Sequence, residues 1–351
     1  MELLCDLVAI PSVSGQEANI AVFIEQTAKR WGLDVERDTN GVRIEVTGWG
    51  VGPTLVLASH LDVVPPGSGW TRDPFVPVIE GNRLYGRGSG DAKASVAAML
   101  YAAKDLVDSG GMDAGRLLLL FGLGEETENT TMEAALEGEE IDAAVIGEPT
   151  GLDFAIAQRG LMMVELLSQG DQRHAAYASP NADFANAVTR LAGDLLKLDA
   201  LFDSRTHPLL GQARATPTIL EAGVSRNVTP PVARAVLDVR STPDWTHEEL
   251  AEELRRALTS DVIVTSRRMV PCETPVGSRL LETAARLRPE AKHYGSPTCS
   301  DWVFFREYDA FKCGPGQSRR SHTADEYVDI PEVSAARRFY ADLARGYLGG
   351  R

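Results

Sequence analysis

The chain has 351 residues, of which 44% are hydrophobic and 24% are charged. This length and composition predict a globular protein of about two domains and exclude a disordered, collagenous or coiled-coil chain. The 50 Asp and Glu exceed the 35 Lys and Arg, which gives a formal net charge of −15. Because such a charge repels nucleic acid and anionic lipid, we expect neither a nucleic-acid partner nor a membrane partner.

The amino terminus and the cysteines indicate a compartment. The first six residues include two acids, Glu2 and Asp6, where a secretory signal needs basic residues, and no apolar run approaches the ~18 residues of a membrane span. We therefore expect a cytoplasmic protein. The cysteines fall in no C-x-x-C spacing, which argues against a disulfide framework and against a thiolate zinc site. We interpret them as small core residues: Cys5, Cys272, Cys299 and Cys313.

Strand-like and helix-like segments alternate through the first part of the chain. Short apolar runs bounded by turn residues are typical of strands buried on both faces. Apolar residues at helical spacing predict the helices between them. The pattern favours a largely parallel α/β sheet with crossover helices. The predicted elements are helix 17–31, strand 42–46, strand 54–59, helix 92–107, strand 116–122 and strand 143–146.

The rhythm changes after about residue 160. The order of the next elements is β-α-β-β-α-β, which is the order of a ferredoxin-like domain. These elements are strand 161–168, helix 181–198, strands 215–222 and 232–240, helix 246–259 and strand 262–266. A helix at 278–287, a strand at 310–313 and a helix at 332–348 then resume the α/β style. We expect a catalytic domain of residues 1–158 and 268–351, interrupted by an inserted domain of residues 159–267.

Histidine and acidic residues follow the predicted buried strands. His60 and Asp62 come directly after strand 54–59, where side chains at the carboxyl ends of strands line the ligand crevice of an α/β sheet. His60 is placed to bind a metal, and Asp62 to hold its ring in one tautomer. Taken alone, the pair favours a turn histidine beside a solvated aspartate.

Four further acidic residues and a second histidine are candidates for the same site. Asp91 ends a glycine-rich turn before a helix, and by itself it reads as a helix N-cap. Glu125 and Glu126 follow strand 116–122; two adjacent carboxylates suit a site where one binds a cation and the other accepts a proton, or a solvated acidic loop. Glu148 ends strand 143–146, and His322 follows the last predicted strand. Together these imidazole and carboxylate groups suit a pair of divalent metal ions, with zinc foremost.

The ordered motifs resemble those of a known family. HLDVVP (60 to 65), GRGSGDAK (86 to 93), GEE (124 to 126), GEPT (147 to 150) and SHTADEY (321 to 327) are similar to motifs of the dinuclear zinc amidohydrolases. That family includes acetylornithine deacetylase, succinyl-diaminopimelate desuccinylase and related carboxypeptidases and dipeptidases. The resemblance implies a zinc-exopeptidase-like catalytic domain with a mostly parallel sheet, and two Zn²⁺ per subunit. It also implies that His60 and Glu148 bind one zinc, Glu126 and His322 bind the other, Asp91 bridges them, Glu125 is the general base and Asp62 orients His60.

The same resemblance extends to the inserted domain, which implies a homodimer formed through that domain. GDQRH (170 to 174) matches a family segment whose histidine, here His174, reaches the partner subunit's site to stabilise an oxyanion. The segments around Asn227 and Arg240 are similar to family segments that contact substrate. Pro231 departs from the family pattern, which has an aspartate after the first proline of that loop.

Substrate choice depends on the last motifs. The segments 295–301 and 314–322 look most like deacetylases of N-acyl-ornithine, and next like hydrolases that release lysine or ornithine from an amino-group carrier protein. Arg319 and Arg320 precede His322, and either guanidinium can clamp an α-carboxylate or lie in solvent. An acidic carrier protein would be repelled by the net charge, so we expect a small N-acyl amino acid, with N-acetylornithine first. Desuccinylase, dipeptidase and non-enzymatic binding functions, and Co²⁺ or Mn²⁺ as the metal, remain alternatives.

Overall fold

The computed structural model describes residues 1–127, 129–178 and 184–349. The described chain divides into two compact units. The first unit contains Met1–Ile156, Glu273–Tyr294 and the segment that begins at Ser300, and the second contains Ala157–Cys272 and Gly295–Cys299. The chain passes between the units within three strands, Phe154–Gln158, Cys272–Glu273 and His293–Ser296.

Helices in both units begin and end at recognisable signals. Asn186 and Ser278 each cap a helix start, because their side chains accept hydrogen bonds from backbone N–H groups of the first turn. Thr246 forms a capping box with Glu249. The helices are α1 (Glu2–Ala9), α2 (Ala18–Arg30), α3 (Lys93–Asp108), α4 (Thr131–Ala135), α5 (Ala187–Leu195), α6 (His247–Ala257), α7 (Arg279–Leu287) and α8 (Ile330–Leu348).

Strands form three sheets in the described residues. The strands are β1 (Asp34–Arg37), β2 (Gly41–Thr47), β3 (Gly50–His60), β4 (Val78–Glu80), β5 (Arg83–Tyr85), β6 (Ala114–Gly122), β7 (Ala143–Ile146), β8 (Phe154–Gln158), β9 (Gly160–Gln169), β10 (Arg214–Ala222), β11 (Val232–Ser241), β12 (Asp261–Met269), β13 (Cys272–Glu273), β14 (His293–Ser296), β15 (Asp309–Lys312) and β16 (Tyr327–Asp329). The large sheet has the order β1-β2-β6-β3-β7-β15-β8-β13, and β14 also pairs with β8. A small sheet has the order β16-β5-β4.

The centre of the large sheet is parallel. β3 pairs in parallel with β6 and with β7, and β7 pairs in parallel with β15. β2 is antiparallel to β6. The central strands are apolar and buried on both faces, as their continuous hydrophobic runs predict. The parallel strands therefore deliver the residues that follow them to one edge of the sheet, and the prediction of an α/β chain with a mostly parallel central sheet is confirmed.

The second unit contains a sheet of different design. Its strands have the order β10-β11-β9-β12, and all neighbours are antiparallel. This is the strand order of a ferredoxin-like sheet. Alternate residues of β9 and β11 are buried and join residues of α5 and α6 in a separate hydrophobic core. One face of this sheet therefore packs against helices.

Many boundaries differ by one or more residues from those that the sequence predicts, and two helices show a physical reason. The helix predicted at 181–198 is shorter, because Asn186 caps its start and it ends at Leu195; residues 181–183 lie outside the described residues. α8 begins at Ile330 rather than at 332, since Pro331 in its first turn favours a helix start. Within the described parts of the chain, no helix is both long and apolar enough to span a lipid bilayer.

Candidate metal centre

His60 lies at the carboxyl end of β3 and is 1% exposed. Its Nδ1 lies 3.0 Å from the carbonyl oxygen of Asp62, which is an acceptor. A proton on Nδ1 satisfies this contact, and Nε2 then keeps its lone pair. Nε2 lies 3.2 Å from Oδ1 of Asp91 and 3.9 Å from Oε1 of Glu148. The backbone turn therefore orients the imidazole toward two carboxylates.

Asp62 joins the histidine turn to the loop after β6. Its fully buried carboxylate accepts hydrogen bonds from the Ser14 hydroxyl at 2.7 Å and from the backbone N–H groups of Glu125 and Glu126 at 2.9 and 3.0 Å. Oδ1 also lies 3.5 Å from Nδ1 of His60. Burial raises the pKa of Asp62, but its bonds to His60 and Ser14 outweigh burial and lower the pKa to about 2. The carboxylate thus stays ionised and fixes the backbone of both glutamates.

Asp91 faces two histidines at once. Its Oδ1 lies 3.2 Å from Nε2 of His60, and its Oδ2 lies 3.7 Å from Nε2 of His322. The interpretation of Asp91 as a helix cap is wrong, because α3 begins at Lys93 after Ala92 and no side chain caps it. The glycine-rich turn directs this carboxylate into the site instead of onto the helix.

The remaining acidic groups approach the same two histidines. Oε1 of Glu126 lies 2.8 Å from Nε2 of His322. His322 has a positive φ of 64°, a conformation that is uncommon for residues other than glycine and in which histidine is enriched. Glu148 follows β7, the parallel neighbour of β3. The carboxyl ends of adjacent strands thereby bring together residues that are far apart in sequence.

Three overlapping groups of side chains offer metal-ligand atoms within 4.8 Å of one another. One group is His60, Asp91 and Glu148, and another is Asp91, Glu126 and His322. These are the two sets of residues that the family resemblance implies as ligands, and Asp91 belongs to both. The third group is His60, Glu125 and Glu126, which places the Glu125 carboxylate beside the same cluster.

The charges of the cluster fit divalent cations. Burial, and then the charge of Asp91, raise the pKa of Glu148 to about 7. Burial and the charges of Glu148 and Asp301 raise the pKa of Glu125 well above its usual range, although His60 opposes this. Crowded buried carboxylates repel one another, and a cation among them relieves that repulsion. Imidazole nitrogen and carboxylate oxygen are donors that suit zinc and similar metals.

Comparison with known proteins identifies the family. The profile of "Peptidase family M20/M25/M40" matches residues 56–346. The chain belongs to this peptidase family. A succinyl-diaminopimelate desuccinylase of Cereibacter sphaeroides (strain ATCC 17025) is 30% identical over 381 residues, which cover 99% of this chain and 98% of that protein. The resemblance to metal-dependent amidohydrolases is therefore confirmed, and this M20/M25/M40 chain is a metal-dependent amide hydrolase.

Solved structures share the M20/M25/M40 fold. Aminopeptidase PepT from Bacillus cereus ATCC 10987 superposes with a TM-score of 0.81 at 19% identity, covering 98% of this chain and 96% of that one. The YXEP protein of Bacillus subtilis, described as a dinuclear metal binding peptidase from the M20 family, gives a TM-score of 0.75 at 17% identity. That alignment covers 100% of this chain and 98% of the other. At these identities the likeness supports the fold alone.

Sequence reasoning missed Glu326, which supports the Asp91 loop of this M20/M25/M40 chain. Its buried carboxylate accepts hydrogen bonds from Arg87 Nη1 at 2.5 Å and from the backbone N–H groups of Gly88, Gly90 and Asp91 at 3.2, 2.9 and 3.1 Å. The side chains of Arg87 and Glu326 are each 1% exposed. Both residues lie inside motifs that carry the resemblance, so their position in those motifs was the available signal. Glu326 therefore positions Asp91, because its carboxylate binds three backbone N–H groups of the Asp91 loop.

Asp301 is a second residue that sequence reasoning did not single out. It is 2% exposed, and burial raises its pKa to about 7, with a further increase from the charges of Glu148 and Asp62 that His60 opposes. Its Oδ1 has no hydrogen-bond partner in the described part of the chain. Asp301 therefore adds a carboxyl group to the electrostatics of the M20/M25/M40 site.

His174, Asn227 and Arg240 lie in the second unit. Nδ1 of His174 accepts a hydrogen bond from the Ala176 N–H at 3.1 Å. The backbone segments of His174 and Asn227 are adjacent, because Ala175 N–H donates to the Asn227 carbonyl at 2.8 Å. Arg240 forms a bidentate pair with Asp238 at 2.7 and 3.0 Å. Two of the three predicted contacts therefore share one loop cluster of the second unit.

The structure separates the two arginines before His322. Arg320 donates to Oδ2 of Asp329 at 2.9 Å and lies over the Tyr327 ring at 4.1 Å. The Arg319 side chain is exposed and makes no hydrogen bond or ion pair with the rest of the described chain. Arg320 is thus part of the fold, and the guanidinium of Arg319 is exposed to solvent.

Loss of ligand residues should change metal binding in a defined pattern. We expect metal-free protein to bind two Zn²⁺ in calorimetry, Glu148→Gln and His322→Asn each to weaken one site, and Asp91→Asn to weaken both. The pKa values of His60 and His322 are raised, so both imidazoles release protons when metal binds. The zinc affinity should therefore rise with pH. The exposed Glu133→Gln is the matched control. If Asp91→Asn and Glu133→Gln lower the zinc affinity equally, Asp91 does not ligate both ions.

Glu326→Gln should weaken metal binding through the Asp91 loop. Buried Arg87 then lacks its counter-charge, and we expect a loss of about 3–5 kcal/mol in unfolding free energy and a roughly 10- to 100-fold loss in zinc affinity. Leu343→Ala, in the buried face of α8, provides a comparable destabilisation remote from the loop. Calorimetry of both variants under folding conditions measures the two effects. If Leu343→Ala weakens zinc binding as much as Glu326→Gln does, Glu326 has no specific role.

Proposed function

We propose that this M20/M25/M40 enzyme uses two zinc ions to hydrolyse the amide bond of a small N-acyl amino acid, with N-succinyl-diaminopimelate as its substrate. The observation that carries the proposal is the pair of ligand groups that share Asp91, with Glu125 beside them. The desuccinylase name of relatives that align over 99% of the chain favours the succinyl substrate. The last motifs favour N-acetylornithine, which therefore belongs in the same test.

The side chains divide the work of hydrolysis. Zinc at such a site supplies Lewis acidity, which polarises an amide carbonyl and makes a water molecule more acidic. His60, Glu148, Glu126, His322 and Asp91 hold the two ions in this proposal. Cobalt and manganese suit the same donors, so the metal needs direct measurement.

Glu125 is the proposed general base and then general acid. Its carboxylate belongs to one ligand-bearing group and its backbone N–H donates to Asp62, so its position is fixed. Burial raises the pKa of Glu125. A carboxylate with a raised pKa accepts a proton from water more readily and can return it to the leaving amine. Asp62 acts through Glu125 and His60 rather than on substrate.

The second unit supplies the remaining proposed contacts. His174 is exposed and, in a homodimer formed through this unit, donates to the developing oxyanion in the partner's site. Such a donor contributes about 3 kcal/mol. Asn227 shares its loop cluster with His174, which supports the proposal that it contacts the same substrate. Arg240 supplies a guanidinium for substrate, although its pairing with Asp238 leaves it less available.

A four-substrate comparison tests the proposed reaction. We expect zinc-loaded wild type to have its highest kcat/KM on N-succinyl-diaminopimelate, against N-acetylornithine, carrier-linked lysine and a dipeptide panel. Glu125→Gln should lower kcat on that substrate by about 10²- to 10⁴-fold while calorimetry still finds bound zinc. Glu133→Gln should retain wild-type rates. Absence of turnover on all four by folded, zinc-loaded protein would reject the proposal, and a preference for N-acetylornithine would restore the deacetylase assignment.

Mixed dimers test whether His174 acts across the interface. Glu125→Gln and His174→Ala homodimers should each be nearly inactive. After subunit exchange at equal amounts, one site of each mixed dimer has both residues intact, so about a quarter of the sites should regain activity. Exchange is verified by mass spectrometry of differently tagged subunits. Verified mixed dimers without recovery would reject action in trans.

A further inference from the structure

A cavity of about 330 Å³ lies in the first unit beside two segments that carry metal-ligand residues. We call it the Arg319 pocket. A cavity of this volume is at the lower end of the range for small-molecule sites. It is lined by Pro149, Thr150, Asp153, Lys292, Tyr294 and residues 317–319.

The Arg319 pocket is lined by chain segments that adjoin two of the candidate metal ligands in sequence. Glu148 immediately precedes Pro149, and His322 follows Arg319 by three residues. The two segments are joined by hydrogen bonds from Ser318 N–H to the Pro149 carbonyl at 3.1 Å and from Gly151 N–H to the Gly316 carbonyl at 2.6 Å. The pocket therefore opens between one segment from each ligand group.

Two cationic side chains of this pocket have no partner among the described residues. Arg319 and Lys292 are exposed, and neither side chain makes a hydrogen bond or ion pair with any described residue. The neighbouring Arg320, by contrast, is held by Asp329. The acid in the pocket, Asp153, accepts a hydrogen bond from the backbone N–H of Lys292 at 2.9 Å. Two cations against one carboxylate leave a net positive charge in an otherwise acidic protein.

The rest of the lining includes an amide and a phenol. The Gln317 amide lies over Gly151 so closely that a Cβ at Gly151 would meet its Nε2 at 2.1 Å. Burial, with the nearby charges of Cys313, Asp153 and Glu148, raises the pKa of the Tyr294 phenol. Tyr294 therefore remains a neutral hydrogen-bond donor, and its phenol lies near enough to Glu148 to sense that charge.

We propose that the Arg319 pocket binds a carboxylate of the substrate through Arg319 and Lys292. The proposal rests on the proposed hydrolysis of N-acyl amino acids and adds that the substrate carries an anionic group beyond the reacting amide. A planar guanidinium binds a carboxylate with two parallel hydrogen bonds, and an ammonium adds a point charge. The pocket thus selects anionic N-acyl amino acids over neutral analogues of the same size.

Three monoamides of N-succinyl-diaminopimelate identify the carboxylate. In each analogue one carboxylate, on the succinyl chain, the α-carbon or the distal end, becomes a carboxamide of nearly the same size. We expect wild type to show a KM higher by about tenfold or more for one analogue, the effect of losing one charge-assisted contact. Arg319→Gln should lose this discrimination for that analogue alone, and Lys292→Gln should lose part of it. Arg319→Lys should show a smaller ratio of KM values between the analogue and the parent substrate than wild type does, because an ammonium cannot form the two parallel hydrogen bonds of a guanidinium.

Arg338→Gln is the matched control, because Arg338 is exposed on α8 and this substitution removes the same charge as Arg319→Gln does. It should keep the wild-type ratios. If Arg319→Gln and Lys292→Gln also keep them for all three analogues while hydrolysing the parent substrate, the pocket proposal fails and the proposed function stands. If wild type hydrolyses none of the compounds, the proposed function fails. The pocket is then judged by calorimetry with succinate, where equal affinity of wild type and Arg319→Gln overturns it and about tenfold weaker binding by the variant supports it.

Discussion

Asp91 presents one carboxylate oxygen to His60 and the other to His322, and the rest of the site is arranged around this double contact. Without a cation, Asp91, Glu126 and Glu148 would be three like charges gathered around two imidazoles. Burial and mutual repulsion raise the pKa of Glu148 to about 7. The repulsion among these carboxylates destabilises the metal-free protein. Cation binding relieves that repulsion, so the same electrostatics favour the metal-bound protein.

Two buried carboxylates outside the ligand groups make that gathering possible. Asp62 accepts hydrogen bonds from the backbone of Glu125 and Glu126, and Glu326 accepts them from the backbone of Gly88, Gly90 and Asp91. Each therefore fixes the main chain of a loop and leaves the loop's own side chains directed at the site. Hydrogen bonds from several N–H groups and a cationic neighbour favour the ionised form of a buried carboxylate. Ligand loops after β6 and before α3 can then be rigid without being helical.

The sequence predicted the parts of this structure that depend on repeated local patterns. Buried runs such as 54–59 and 116–122 identified β3 and β6, and parallel strands place the residues at their ends on one edge of the sheet. Asp91 taken in isolation suggests a helix cap, because an acid before a helix is a local signal for one. Its tertiary contacts show that its carboxylate points to the histidines instead. The start of α5 was misplaced since Asn186, a good cap, lay inside an apparently periodic stretch. Arg319 and Arg320 are equivalent in sequence, and only the position of Asp329 distinguishes them.

The overall charge of the chain and the local charge of its site act over different distances. At physiological ionic strength, charges further apart than about 8 Å are largely screened, so the formal charge of −15 influences approach more than binding. An anionic substrate then meets the fields of the nearest groups. Two divalent cations would offset the carboxylates of the metal centre. Arg319 and Lys292, whose side chains pair with no described residue, line a pocket whose segments adjoin Glu148 and His322 in sequence. An acidic protein can therefore bind an anionic small molecule, whereas an acidic carrier protein would also contact the wider negative surface. This difference in contact area is the physical reason why the charge distribution favours a small substrate.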